Sequence, residues 1–283
     1  MKRILALFMT LIGFSTLGQA QAPKMDQETM EKYVLFSDYN REKNYAEAKA
    51  PLDWLLENHP DLRKGLYING IKVYENLVES TEDQEEKAQL QDRTLELFDQ
   101  RIQYFQEEPK VLNLKGYSAF RYWGTKADKQ EELYDLYKKI VELNGQDTYN
   151  QNVGTYMYLL CKMKGKKDAI DDAKIVEEHE KLTKIIDYNL VKYRKEEKPV
   201  YIDAWEKTQE YIDSRLENCV TIDCGFINDQ FVPKYLENTA DTTLAKKILG
   251  LGAVGKCSRE PFYKEVLEKL VETNPTPKRL KLL

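Results

Sequence analysis

The chain has 283 residues, 42% hydrophobic and 32% charged, with a formal charge of −5. Ordinary globular chains are ~45–50% apolar and ~25% charged, so this surface-rich balance predicts a thin, elongated architecture rather than two thick-cored domains. Thirteen glycines and nine prolines exclude collagen-like, linker-like and disordered chains and a turn-rich β sandwich, and the acidic balance leaves no basic field for nucleic acid or anionic lipid.

The first segment reads as an export signal. Lys2 and Arg3 give a basic start, Ile4 to Leu17 an apolar run broken only by Thr10, Gly13, Ser15 and Thr16, and Gly18, Ala20 and Ala22 the small residues of a cleavage site. Charge, short apolar core and small residues, in that order, make a secretory signal peptide. The run is shorter than the ~20 residues a membrane span needs. Cleavage after Ala22 would leave Pro23 first, so cleavage after Gly18-Gln19-Ala20 is favoured. Residues 1–20 are then the signal and 21–283 the mature chain, with 41 bases against 48 acids and a charge of −7. No cysteine follows the run, so no lipid anchor is expected there. The mature protein is expected to be soluble, without a membrane span, and periplasmic or extracellular, where ATP and NAD pools are absent.

Residues 26–58 read as two helices broken at Arg41 to Asn44. A two-helix repeat of ~34 residues follows the pattern W-x2-L-G-x2-Y, then A-x3-F, then P. With its first slot at Lys32, Leu35, Tyr39, Ala48 and Pro60 match and Leu52 takes the Phe slot. The small Ala48 lets two antiparallel helices approach, Leu35 and Tyr39 fill the seam, and Pro60 stops the second helix. Pro51 predicts either a kink or a helix whose regular part begins near residue 50. Tyr67, Ile71, Tyr74 and Val78 then step along one helix face, as do Leu95, Phe98, Ile102 and Phe105 within 83–106. Further pairs are expected at 110–124 with 127–144, 148–164 with 167–195, 200–217 with 221–237, and 241–252 with 259–274. No segment sustains period-two alternation, so strands are not expected. The predicted fold is all-α, a right-handed α-α superhelix of about six helix pairs.

Tyr45-Ala46-Glu47-Ala48, Trp54 to Pro60, Leu66-Tyr67-Ile68-Asn69-Gly70 and Phe98-Asp99-Gln100-Arg101-Ile102 together resemble the exported tetratricopeptide repeat proteins of bacteria, as do Cys224, Phe231 to Tyr235 and Cys257 near the last unit. The resemblance covers most of the mature chain. It implies a superhelical stack used for protein binding or assembly, with no enzymatic activity. Pro277 to Leu283 read as the first turns of another helix ending on Leu280, Leu282 and Leu283, which suggests either a truncated or split gene product, because solenoids close with a polar cap, or a tail that frays.

Four cysteines in an exported chain point to disulfides. Cys224 in the first turn of one helix and Cys257 in the loop after the next are the favoured pair, with Cys219–Cys224 the rival. Cys161, between Leu160 and Met163, reads as a small buried hydrophobe. With His59 and His179 distant in sequence, no metal site is expected.

Gly250-Leu251-Gly252-Ala253-Val254-Gly255 matches the dinucleotide fingerprint, but a helix precedes it where a strand is required, so it reads as a glycine-rich turn and no cofactor is expected. Glu177-Glu178-His179-Glu180 reads as a solvated helix face, and Glu107-Glu108 and Asp171-Asp172 as surface acids. No catalytic constellation is assembled, so no enzyme is expected.

Nineteen tyrosines against nine phenylalanines suit half-buried seams and wet recognition surfaces. The first helix of each pair lines the concave groove in tetratricopeptide repeats, which makes Tyr33, Ser37, Asn40, Arg41, Tyr67, Tyr74, Tyr117 and Arg121 the candidate binding residues, with Thr155 and Tyr158 in poorer register. Most of these tyrosines are also compatible with packing. The expected function is a protein-binding scaffold in the cell envelope, its partner a protein or peptide segment. The alternative is a carrier or sensor holding a glycan or small ligand in the Tyr-rich groove.

Overall fold

A computed structural model describes residues 25–166 and 170–273; the signal segment and the last helix start lie outside them. The described chain is all-helical, its helices packed in consecutive pairs as in an α-α helical repeat. No strand occurs among the described residues. Two compact units divide between Gln100 and Arg101.

The first unit holds α1 (Gln27–Arg41), α2 (Tyr45–Asn58), α3 (Lys64–Ser80) and most of α4 (Gln84–Phe105). Asp26 caps α1 by accepting from the Thr29 backbone N–H at 2.8 Å, which satisfies one of the orphan donors of a helix start. Ala48 and Leu52 of α2 are fully buried, as their small and apolar slots require. A Cβ on Gly70 of α3 would lie 3.2 Å from Leu52 and 3.7 Å from Leu97, so α2, α3 and α4 converge on a position with no side chain.

Two expectations for this unit need correction. Leu35 is 38% exposed, and Phe36, one residue on, is 1% exposed in its place. The seam of α1 runs through Thr29 and Phe36, two helical turns apart, because Thr29 is tied to both Asp26 and the His59 ring. Helix α2 runs unbroken through the buried Pro51 and does not begin there.

The second unit holds α5 (Glu108–Trp123), α6 (Gln130–Asn144), α7 (Asn150–Met163), α8 (Asp172–Lys195), α9 (Pro199–Cys219), α10 (Cys224–Gln230), α11 (Val232–Glu237), α12 (Thr242–Val254) and α13 (Pro261–Thr273). The single helix expected over 221–237 is two, broken at Phe231. Pro233 sits in the first turn of α11 and has no N–H to continue the α10 ladder. The glycines of 250–255 lie mostly within α12 rather than in a turn: a Cβ on Gly252 would meet the Tyr263 ring at 2.7 Å, so the motif serves helix packing.

Helices α5, α7 and α9 run parallel, side by side. Asn113 touches Asn152 and Phe120 touches Tyr158, pairs 39 and 38 residues apart. Between α7 and α9, Asn150 meets Thr208, Gly154 meets Tyr211, Tyr158 meets Arg215 and Cys161 meets Cys219, a constant spacing of 57 or 58 residues. Helix α6 packs against α5 and α7, and α8 against α7 and α9.

A buried amide network fixes the first of these pairs. Asn113 donates to Asn144 Oδ1 at 2.8 Å and to the Asp147 carbonyl at 2.9 Å, and accepts from the Tyr149 backbone N–H and Asn152 Nδ2. Tyr137 donates from beneath to the Gly116 carbonyl at 2.8 Å, and burial pushes its phenol far above the usual tyrosine range.

The acidic stretch on α8 is solvated only in part: Glu177 is exposed, Glu178 and His179 are not. His179 is 9% exposed and lies 2.7 Å from Asp213 Oδ1, and Glu178 is 8% exposed. The polar string hides a packed position because α9 covers this part of α8. Glu107 pairs with the nearly buried Arg101, Glu108 with Lys139, and Asp171 caps α8, so these acids are structural. Burial pushes the Glu178 carboxyl up, but Lys181 and Lys174, 2.7 and 3.0 Å away, outweigh it and hold it below the ordinary 4.5. A depressed carboxylate contributes stability that is full above its unfolded pKa and is lost as pH falls through its folded one. Urea midpoints are therefore expected to fall on acidification below 4.5, and Glu178→Gln to flatten part of that fall.

Both expected and unexpected cysteine pairs are present. Cys224 and Cys257 are bonded, with a Cα separation of 5.5 Å. Cys161 is not a buried free thiol: it is bonded to Cys219, also at a Cα separation of 5.5 Å, which joins the C-terminal turns of α7 and α9. The parallel ladder carries these two residues to the same level, a juxtaposition that a separation of 58 positions conceals in the sequence. Two disulfides fit an oxidising compartment, and among the described residues no helix is long and apolar enough to cross a membrane.

Candidate functional site

The α5, α7 and α9 layer forms a trough of about 430 Å³ in the second unit. Phe120 comes from α5; Asn150, Gln151, Gly154, Thr155 and Tyr158 from α7; Ala204, Lys207, Thr208 and Tyr211 from α9. Its floor is aromatic. Phe120 meets Tyr158 edge to face with centroids 5.9 Å apart, an arrangement aromatic quadrupoles favour. Tyr211 lies against α7 at Gly154, where a Cβ would stand 3.4 Å from the ring. The absence of a side chain there lets the ring rest on the helix backbone and leaves it 39% exposed.

Polar groups edge the trough. Asn150 donates to Thr208 Oγ1 at 3.3 Å, while Thr208 and Thr155 donate to carbonyls one turn back on their own helices. One turn beyond the trough, Arg215 lies over the rings of Tyr158 and Tyr211 at 5.4 and 5.0 Å, and Lys162 over Tyr158 at 5.5 Å. The Cys161–Cys219 bond follows directly. No carboxylate lines the trough, and it brings no nucleophile and base together. Aromatic faces, amides, hydroxyls and cations are a set for recognition. Among the described residues no group of three His, Cys, Asp or Glu side chains could hold a metal ion.

No protein-family model matches the chain, and no curated protein matches it.

The residues expected to line a groove are placed as follows. On α1, Tyr33 is half-buried, with Arg63 stacked over its ring at 4.6 Å and donating to its hydroxyl. Ser37 and Asn40 are half-buried, and Arg41 is exposed and paired with Asp38. Tyr67 is fully buried, donating to the Pro60 carbonyl, so its ring is core. Tyr74 is 2% exposed and donates to Asp53. In the second unit Tyr117 is 54% exposed beside Arg121 on α5, and neither lines the trough. Thr155 and Tyr158 do. Phe120, Asn150, Thr208 and Tyr211 are the residues a sequence reading misses.

A second cavity, about 660 Å³, lies in the first unit between α2 and α4 with Tyr74 at its edge. Its cations are already paired, Lys49 with Asp53, which Tyr74 also binds, and Arg93 with Glu96, and two further carboxylates, Glu57 and Glu86, line it. A ligand there would have to displace these contacts, so the trough of the second unit is the stronger site.

Proposed function

We propose that this chain is a non-enzymatic binding scaffold of the cell envelope, a tetratricopeptide-like repeat that holds an extended segment of a partner protein in the α7–α9 trough. The observation that carries this reading is the trough's composition, a half-exposed Tyr211 and a half-buried Tyr158 bordered by amides and hydroxyls, on the face formed by the first helix of successive pairs. Aromatic rings supply contact area at low entropic cost, and amides match a peptide backbone. The signal-like N-terminus and the two disulfides support an exported, periplasmic or extracellular location.

Affinity capture from envelope extract, using wild type beside Tyr211→Ala and Gly154→Leu, tests the reading. Gly154→Leu would push the Tyr211 ring off its seat. A partner held by wild type and lost by both variants is expected; if everything recovered is indifferent to the trough, the scaffold reading fails. The aromatic floor that Phe120, Tyr158 and the half-exposed Tyr211 make also favours a second reading, a carrier or sensor for a glycan. A consistent thermal shift with cell-wall fragments would support it.

A further inference from the structure

The trough has direction. Asn150 and Gln151 stand at one end, Tyr158 and Tyr211 in the middle, and Arg215 and Lys162 at the disulfide end. From Asn150 to Lys162 the helix rises about 18 Å at ~1.5 Å per residue, enough for five or six residues of an extended chain at ~3.3 Å each. Cations and amides at opposite ends suit a linear ligand with distinct parts.

Its charge is one-sided. Lys207 on the wall is paired with Asp203, but among the described residues Arg215 and Lys162 have no carboxylate partner. Both lie on tyrosine faces, which strip water from one side of each cation and leave the other side open. A guanidinium seated over a ring keeps donors available for a carboxylate. Other cations on rings, such as Lys32 and Lys72, also have no carboxylate partner among the described residues; Arg215 and Lys162 differ in converging on one ring, Tyr158, at the end of the trough.

We infer that the segment held in the trough is acidic: an extended polypeptide whose Asp or Glu side chains meet Arg215 and Lys162, and whose backbone lies along Asn150, Gln151 and Thr208. This rests on the scaffold reading above and adds the chemistry of the partner.

A randomised peptide library displayed on phage, with no free peptide C-terminus, is panned against the full chain, and binding of the selected peptides is measured by fluorescence anisotropy. Enrichment of Asp and Glu is expected, with affinity about tenfold or more weaker in Arg215→Ala with Lys162→Ala, as loss of a charged hydrogen bond predicts, and weaker at high salt. Arg215→Glu with Lys162→Glu should transfer the preference to Lys-containing versions of the same peptides, a gain that misfolding cannot mimic. Selected peptides with no acidic bias that still depend on Tyr211 overturn the acidic partner and leave the scaffold reading standing. Peptides indifferent to Tyr211→Ala, or binding of polygalacturonate with no peptide selected, overturn both.

Discussion

Replacing Cys161 and Cys219 together by serine is expected to lower stability by about 4 kcal/mol, the chain-entropy value for a loop of this length. The bond closes 58 residues, against 33 for Cys224–Cys257, so it constrains the unfolded chain more. At ~2–4 °C per kcal/mol for a domain of this size, the melting temperature should fall by about 10 °C or more. Calorimetry of the double variant beside Cys224→Ser with Cys257→Ser checks the order: the Cys161–Cys219 variant should melt lower. Equal melting of wild type and variant would mean that the unfolded chain already keeps α7 and α9 together without the bond.

The second large effect is expected at Asn113. Asn113→Ala removes a side chain that serves four groups: Asn144 Oδ1, the Asp147 carbonyl, the Tyr149 N–H and the Asn152 amide. Each buried polar group left without a partner costs ~1–3 kcal/mol. Asn152 Nδ2 keeps its bond to the Asn113 carbonyl, whereas Asn144 Oδ1, the Asp147 carbonyl and the Tyr149 N–H each lose a partner, so a total of about 3 kcal/mol is expected in urea unfolding. Asn113→Asp should be as damaging at neutral pH, because a carboxylate would face two acceptors, and milder in acid, where its protonated oxygen can donate to one of them. A loss below about 0.5 kcal/mol for Asn113→Ala would show that water takes over the network.

The helices as far as α9 were legible because apolar spacing and the prolines at 60, 109 and 199 mark them, whereas the stretch over 221–237 hid a break at Phe231. Turns were harder. Lys43, Gln106 and Glu197 all adopt positive φ, where glycine would have announced the reversal. Phe36 displaced Leu35 because a slot pattern fixes helix phase only to about one residue, whereas a cap and a histidine contact fix it outright. His179 and Glu178 were hidden because a charged helix face reads as solvated until the neighbour that covers it is known. The site was the least legible part. Its residues come from three helices separated first by 38 or 39 and then by 57 or 58 positions, so no single repeat period aligns Phe120, Tyr158 and Tyr211.

The unequal spacing also separates what must be conserved in the trough from what is free to vary. The extra residues between α7 and α9 belong to the connection after Met163 and to the 24-residue α8, and none of the four α7–α9 rungs depends on their number. A relative that shortens or lengthens that hairpin can keep the same binding face intact. Such relatives would be found by matching the rung residues on α7 with those on α9, while overall alignment length would mislead.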